Sequence, residues 1–169
     1  KELHSNNLIS KAIGNSAMIR DGNQLLVSYT NSIDKEDLKY IGEKFSPSLF
    51  QNKIAKKYEV RAFYIEGAIY SMAIFSQRDS QTRIDFRRYN YSNPNRVTCF
   101  KLPKNVEDKL IRVAQQFQLN AASFDLIKTL DGDYVFLEVN PGGQFEMTSK
   151  PCNYFLEKIV AEQLAQYSS

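Results

Sequence analysis

The sequence predicts an α+β fold built from antiparallel hairpins and a few amphipathic helices. Three turn signals, Asp21-Gly22, Glu66-Gly67 and Asp131-Gly132, each separate two runs rich in apolar and β-branched residues. Two such runs around a tight turn are typical of a β-hairpin. Apolar residues at helical spacing follow Pro103 and Ser149, which indicates helices there.

Length and composition narrow the class of protein. The 169 residues suffice for one domain or two small lobes, and 43% hydrophobic with 24% charged residues is ordinary for a globular protein. No apolar run approaches the ~20 residues that span a bilayer, so we expect no membrane partner and a cytoplasmic location. With two cysteines, Cys99 and Cys152, and one histidine, His4, we expect neither a zinc site nor a disulfide framework.

A lysine early in the chain is a candidate phosphate ligand. Leu8–Ile13 is predicted as a strand that contains Lys11, and the small-residue loop Gly14–Ser16 follows it. A loop of small residues lets backbone approach an anion closely, so the lysine can hold a phosphate there. An exposed structural lysine is the alternative interpretation.

A second candidate is an arginine inside the Glu66-Gly67 hairpin. Strand alternation places Glu59, Arg61 and Phe63 on one face of the strand Tyr58–Ile65. An arginine in that setting either pairs with an acid or faces a phosphate, whose geometry its planar fork matches.

Charges interleave with aromatics at Ile84–Asn90, inside the polar stretch Gln77–Asn95. Such aromatics can stack nucleic-acid bases. The stretch has charges of both signs and no recognised reader motif, so we expect no nucleic-acid partner.

The predicted helices have recognisable starts. Asp34 predicts the N-cap of a helix over Lys35–Ile41, supported by Asp37 three residues on. Pro103 suits the first turn of a second helix. Its apolar stripe is assigned to the core and comprises Val106, Leu110, Val113, Ala114 and Phe117.

A final helix is predicted over Pro151–Gln166, with Ser149 as its N-cap. Cys152 belongs to the apolar stripe of this helix. We therefore interpret its thiol as packing rather than as a nucleophile.

The hairpin Ser123–Gln144 carries the strongest candidate site. Glu138 and Asn140 share a face because they are two residues apart in a strand, and pairing across Asp131-Gly132 places Asp125 roughly opposite them. Two carboxylates and an amide oxygen are hard ligands that suit Mg²⁺. The alternative, solvated outward acids, explains Glu138 poorly because its neighbours are apolar.

These segments, in this order, resemble the ATP-grasp superfamily, and within it the ligases that cross-link ribosomally made peptides (graspetide or microviridin-type, grasp-with-spasm branch). The resemblance is carried by S-M-A-I-F-S-Q at 71–77, I-D-F-R-R-Y-N at 84–90 and F-L-E-V-N-P-G-G-Q-F…P-C-N-Y-F-L-E-K at 136–158. It implies two α+β lobes whose antiparallel sheets clasp ATP. Residues 1–50 would form part of the central lobe and 51–169 the C-terminal lobe, with an N-terminal domain expected outside this sequence.

The resemblance also implies nucleotide contacts. Lys11 would contact the phosphates of ATP, and the backbone of Lys53 and Ile54 would read the adenine edge, with Gln51 nearby. Asn52 stands where relatives often carry glutamate, which puts one nucleotide contact in doubt.

The same resemblance implies roles in catalysis. Arg61 would face the γ-phosphate and the acyl phosphate formed from it, and Arg87 would lie at the phosphate or acceptor side. Asp125, Glu138 and Asn140 would hold one or two Mg²⁺ on the triphosphate.

The implied activity is an ATP-dependent ligase acting on a precursor peptide made of a leader and a core. It would activate a side-chain carboxylate as an acyl phosphate, which an alcohol or amine of the same peptide attacks to form an ester or amide. The sequence leaves open whether the protein forms a homodimer. The alternatives are a nucleotide-binding module without turnover and a basic nucleic-acid-binding domain.

Overall fold

The computed structural model describes residues 7–14, 18–40 and 47–167, and the structural findings concern these ranges. Several residues named above lie outside these ranges. They are His4, two residues of the predicted phosphate loop (Asn15 and Ser16) and the last residue of the first predicted helix (Ile41). The contacts divide the chain into a first unit, Lys1–Ala55 with Arg78–Pro94, and a second unit, Lys56–Gln77 with Asn95–Ser169. Their assignment to ATP-grasp lobes, expected to meet after residue 50, stays a prediction.

The first unit contains two small antiparallel arrangements. Its elements are β1 (Leu8–Lys11), β2 (Met18–Asp21), β3 (Gln24–Val27), β4 (Asn31–Ile33), α1 (Lys35–Tyr40) and β5 (Leu49–Asn52). One sheet has the order β4-β1-β5, and β2 pairs with β3 around the predicted turn. The N-cap prediction is confirmed, because Asp37 N–H donates to Asp34 Oδ1 and Asp34 N–H donates to Asp37 Oδ2, both at 2.9 Å.

The second unit is built on a five-stranded antiparallel sheet. Its elements are β6 (Lys56–Ile65), β7 (Ala68–Phe75), β8 (Arg96–Phe100), α2 (Lys104–Gln116), β9 (Ala121–Thr129), β10 (Tyr134–Asn140), α3 (Glu146–Cys152) and α4 (Leu156–Gln166). The strand order is β10-β9-β6-β7-β8. Both predicted hairpins of this unit are confirmed, and the mixture of helices with antiparallel strands confirms the α+β class.

One face of the five-stranded sheet forms the main core with α2. Alternate residues of β6 and β9 point to this face, among them Val60, Ala62, Phe124 and Leu126, and Leu110 of α2 packs on them. Burying each large apolar side chain here contributes roughly 1.5–3 kcal/mol. Phe117 was predicted in this core but is exposed, because α2 ends before it.

The opposite face is partly covered by α3 and α4. Phe63 and Ile65 pack with Leu156, and Phe145, Tyr154, Ile159 and Val160 surround them. Arg61 and Glu59 follow along β6 on the same face. The helical cover thus adjoins a polar part of the sheet.

The predicted final helix is two helices. Asn153 and Phe155 adopt left-handed backbone conformations, with φ of 51° and 53°, and separate α3 from α4. Ser149 lies inside α3, yet its Oγ accepts from Leu156 N–H at 3.0 Å and so serves the start of α4. Cys152 is buried beside the sheet, as the packing interpretation expected. No helix in the described ranges is long and apolar enough to cross a bilayer.

Candidate functional site

A row of charged side chains crosses three strands of the second unit. Arg61 on β6 pairs in register with Asp125 on β9, and Asp125 pairs with Glu138 on β10. Directly opposed residues of antiparallel strands share a face, so all three side chains lie on the face away from α2. The Arg61 Nη1 lies 3.5 Å from Asp125 Oδ1.

A β-bulge brings Glu138 into this row. Phe136 pairs with Leu126, but the next pair is Glu138 with Asp125, so Leu137 is an extra residue. An uninterrupted register from the turn would pair Glu138 with Phe124, which points into the α2 core. The bulge therefore turns Glu138 and Asn140 toward Arg61 and Asp125.

Asn140 is held at the end of β10 by a tight turn. Its Oδ1 accepts from Gly142 N–H at 3.0 Å, and its carbonyl accepts from Gly143 N–H at 3.2 Å. In register it lies opposite Ser123, one same-face step beyond the Asp125–Glu138 pair. The amide oxygen keeps a second lone pair for another partner.

Arg61 has a donor without a partner. Its side chain is only 8% exposed, and Nε forms no hydrogen bond within the described structure. A buried unpaired donor costs about 1–3 kcal/mol, so such groups normally meet a ligand or water. The geometry fits an oxygen-rich anion at Arg61.

A second buried ion pair lies on the same face and was not predicted. Lys56 contacts Glu59 within β6, and their side chains are 9% and 7% exposed. Ser76 Oγ donates to Glu59 Oε2 at 2.7 Å. The alternation that grouped Glu59 with Arg61 on one face was the available signal for this pair.

The oxygen donors fit a hard divalent cation. Asp125 and Glu138 supply carboxylates and Asn140 an amide oxygen, and Mg²⁺ accepts few protein ligands while it keeps water or phosphate in its shell. Across the described ranges, no three His, Cys, Asp or Glu side chains gather as a metal cluster. The set therefore suits a cation that arrives with further oxygen ligands.

In the first unit Lys11 and Gln51 lie on neighbouring strands, and Lys53 and Ile54 directly follow β5. Lys11 ends β1, and Gln51 on β5 pairs with Ile9. The backbone of Lys53 is already engaged, since its N–H donates to Asn7 O at 2.7 Å and its carbonyl accepts from Asn7 Nδ2 at 3.0 Å. In this arrangement Ile54, which follows it, is the better candidate for reading a base edge.

Arg87 also lies in the first unit, in an ion pair with Asp85. Its Nη2 and Nε donate to the Asp85 carboxylate at 2.6 and 2.8 Å, and Thr30 N–H donates at 3.0 Å. Burial alone would raise the pKa of Asp85, but the hydrogen bonds from Arg87 and Thr30 together with the charge of Arg87 lower it from its usual value. Half of the Arg87 side chain stays exposed.

Searches with the sequence match no known family description and no curated protein. Solved structures do match. One is a RiPP-associated ATP-grasp ligase of Chryseobacterium gregarium, solved with ADP, a leader and a core peptide. It is 23% identical to this chain. The TM-score is 0.74, and the match covers 82% of this chain and 42% of the ligase.

A second match is macrocyclase MdnC of Microcystis aeruginosa MRC, solved with the precursor peptide MdnA. It is 31% identical to this chain. The TM-score is 0.67, and the match covers 83% of this chain and 43% of MdnC. The chain has the ATP-grasp fold. ATP-grasp ligase PsnB, solved with minimal precursor, Mg and ADP, shares the fold at 18% identity, with a TM-score of 0.71 over 98% of this chain and 48% of PsnB. This ATP-grasp chain spans less than half of each solved relative.

Proposed function

We propose that the chain is the catalytic part of an ATP-dependent ligase that modifies a ribosomally made precursor peptide. The observation that carries the proposal is the row Arg61–Asp125–Glu138, in which two carboxylates on adjacent strands follow a buried guanidinium whose Nε has no partner among the described residues. Cation ligands next to a phosphate-binding arginine suit a magnesium-bound nucleotide. The similar ligases with ADP, Mg and precursor peptides support the same assignment.

The residues of the second unit would hold the charged end of the nucleotide. Asp125, Glu138 and Asn140 would bind Mg²⁺, which neutralises phosphate charge when bound. Arg61 would donate from Nε and the guanidinium fork to phosphoryl oxygens. Its partial burial strengthens these contacts because water screens them less.

The residues of the first unit would supply further nucleotide contacts. Lys11 would neutralise phosphate charge, and Gln51, Lys53 and Ile54 would line the adenine, with Ile54 as the main reader of the base edge. Arg87 would act at the phosphate or acceptor side through the exposed half of its guanidinium.

The chemistry that fits this arrangement is carboxylate activation. A carboxylate is a poor electrophile, and transfer of the γ-phosphoryl group to it gives an acyl phosphate with a good leaving group. A hydroxyl or amine of the same peptide then attacks the carbonyl. This attack forms an ester or an amide and releases phosphate. The step needs positioning and charge stabilisation rather than an enzyme nucleophile.

Nucleotide binding tests the first half of this proposal. Calorimetry with ADP, with and without Mg²⁺, should show magnesium-dependent binding that Glu138→Gln weakens at least tenfold, because a charged ligand is lost. Glu162→Gln, an exposed acid on α4 with a distant lysine partner, is the matched control and should bind like the wild type. Equal binding by Glu138→Gln would overturn the metal assignment.

Turnover tests the second half. Co-expression with candidate precursor peptides from the neighbouring open reading frames should give a peptide lighter by one water for each new bond, as seen by mass spectrometry. Magnesium-dependent ADP binding with an unmodified peptide would instead establish a nucleotide-binding module without turnover.

A further inference from the structure

The turn that follows β10 lies unusually close to the backbone of β9. A Cβ atom built on Gly143 would lie 3.2 Å from Ser123 N, 3.3 Å from Ala122 C and 3.1 Å from Cε2 of Phe63. Two of these atoms are backbone inside a paired strand and cannot move without breaking the sheet. Any side chain at position 143 would therefore push the turn away from β9.

The neighbouring glycine differs. A Cβ atom on Gly142 would meet only Asn140 Oδ1, at 3.5 Å, which is an ordinary van der Waals distance. Neither glycine is among those with positive φ. Alanine at position 142 therefore fits without movement, whereas alanine at position 143 requires a shift of a few tenths of an ångström, and the reason at 143 is space rather than backbone conformation.

The turn also fixes the orientation of Asn140. Gly142 N–H binds the side-chain Oδ1, and Gly143 N–H binds the carbonyl of the same residue. A displacement of Gly143 would move both donors together. The position of the Asn140 amide oxygen therefore depends, through these two hydrogen bonds, on how closely the turn approaches β9.

We propose that Gly143 is a positioning residue of the magnesium site: its missing side chain lets the turn rest on β9, and the turn aims the Asn140 amide oxygen to the face that carries Asp125 and Glu138. The inference rests on the proposed function, since it assigns a device to the same site. It concerns the second unit alone and requires no contact with the nucleotide.

The test compares Gly143→Ala with Gly142→Ala in the full chain. The measured quantity is the Mg²⁺ concentration that gives half-maximal ADP binding in calorimetry. Loss of a group that orients a metal ligand typically costs 10–100-fold in metal affinity, so we expect about a tenfold increase for Gly143→Ala and less than about twofold for Gly142→Ala. Binding of ADP without Mg²⁺ should stay the same in both variants.

A double-mutant cycle separates positioning from a general loss of stability. If Gly143 acts through Asn140, then Gly143→Ala should add little to the loss of Mg²⁺ affinity already caused by Asn140→Ala. A fully additive effect, or wild-type Mg²⁺ affinity in Gly143→Ala, would overturn the inference. Absence of magnesium-dependent ADP binding in the wild type would instead refute the proposed function.

Should Gly143→Ala fail to fold, the wild-type chain provides the test by NMR. Added Mn²⁺ should broaden the backbone amide signals of Gly142 and Gly143 together with the side-chain amide of Asn140, because the turn then lies within reach of the ion. Broadening of the Asp125 amide without these three would show that Asn140 is not a ligand and that the turn positions nothing.

Discussion

Arg61 and Asp125 lie directly opposite each other on β6 and β9, with 3.5 Å between the guanidinium Nη1 and the carboxylate Oδ1. This distance is long for a charge-assisted N–H···O hydrogen bond, whose usual length is about 2.7–2.9 Å. The two groups therefore attract each other without a short hydrogen bond, and the Arg61 Nε has no hydrogen-bond partner within the described structure. The buried Lys56–Glu59 pair lies on the same face of β6, with Glu59 two residues from Arg61.

Arg61→Lys should impair turnover although the positive charge is kept. A lysine ammonium cannot reproduce the planar fork or the Nε donor, which has no hydrogen-bond partner in the described part of the chain. We expect a decrease in kcat of about a hundredfold, measured as peptide dehydration over time. Arg112→Lys on the exposed side of α2 is the control and should turn over normally. Near-normal kcat for Arg61→Lys would limit Arg61 to an electrostatic role.

Deleting Leu137 should preserve the site, whereas deleting Val139 should destroy it. Without Leu137 the strand pairs regularly, and Glu138 still lies opposite Asp125. Without Val139, Asn140 would lie opposite Phe124 and point toward the α2 core. Magnesium-dependent ADP binding checks both variants. Equal loss in the two deletions would show that the bulge itself is required.

Asp85→Asn should destabilise the chain at neutral pH and flatten its acid denaturation. The folded-state pKa of Asp85 is lowered from its usual value, so the ionised form stabilises the fold above the unfolded-state pKa, and this contribution is lost as the pH falls through the lowered pKa. Arg87 is half exposed, so we expect a loss of about 1–2 kcal/mol in the free energy of unfolding at pH 7. Urea titrations at pH 7 and below about pH 4 measure the difference, with exposed Asp133→Asn as the control. An undiminished pH dependence in Asp85→Asn would contradict this account.

Ser123→Ala and Thr148→Val should each stabilise the fold or leave it unchanged. Both hydroxyls are buried, with residue exposures of 1% and 0%, and neither Oγ has a hydrogen-bond partner within the described structure. An unpaired buried hydroxyl costs about 1–3 kcal/mol, so its removal should raise the free energy of unfolding by up to about 1 kcal/mol. Urea unfolding provides the measurement. A clear decrease would reveal an ordered water bound to that hydroxyl.

The hairpins and the charged row could be predicted because their signals are local. Asp131-Gly132 fixes a turn, and alternation assigns Arg61 and Glu138 to faces of their strands. The bulge at Leu137 has no such signal, since it depends on how β10 fits the core formed with α2. Sequence reasoning therefore placed Asp125 only roughly opposite Glu138.

Other elements were missed for identifiable reasons. The strand β8 has five residues, follows a long polar stretch and lacks a turn signal, so nothing in its pattern separates it from a loop. The break between α3 and α4 relies on left-handed conformations at Asn153 and Phe155, and a bulky aromatic is a rare choice there. Tertiary packing decides both features.

The bulge at Leu137 has a consequence for association between chains. Within the described sheet β10 is an edge strand, and its outer row of unpaired backbone groups could template a strand from another copy. An extra residue in the middle of the strand interrupts the regular spacing that such pairing needs. Deletion of Leu137, harmless to the cation ligands, would therefore show itself as concentration-dependent aggregation.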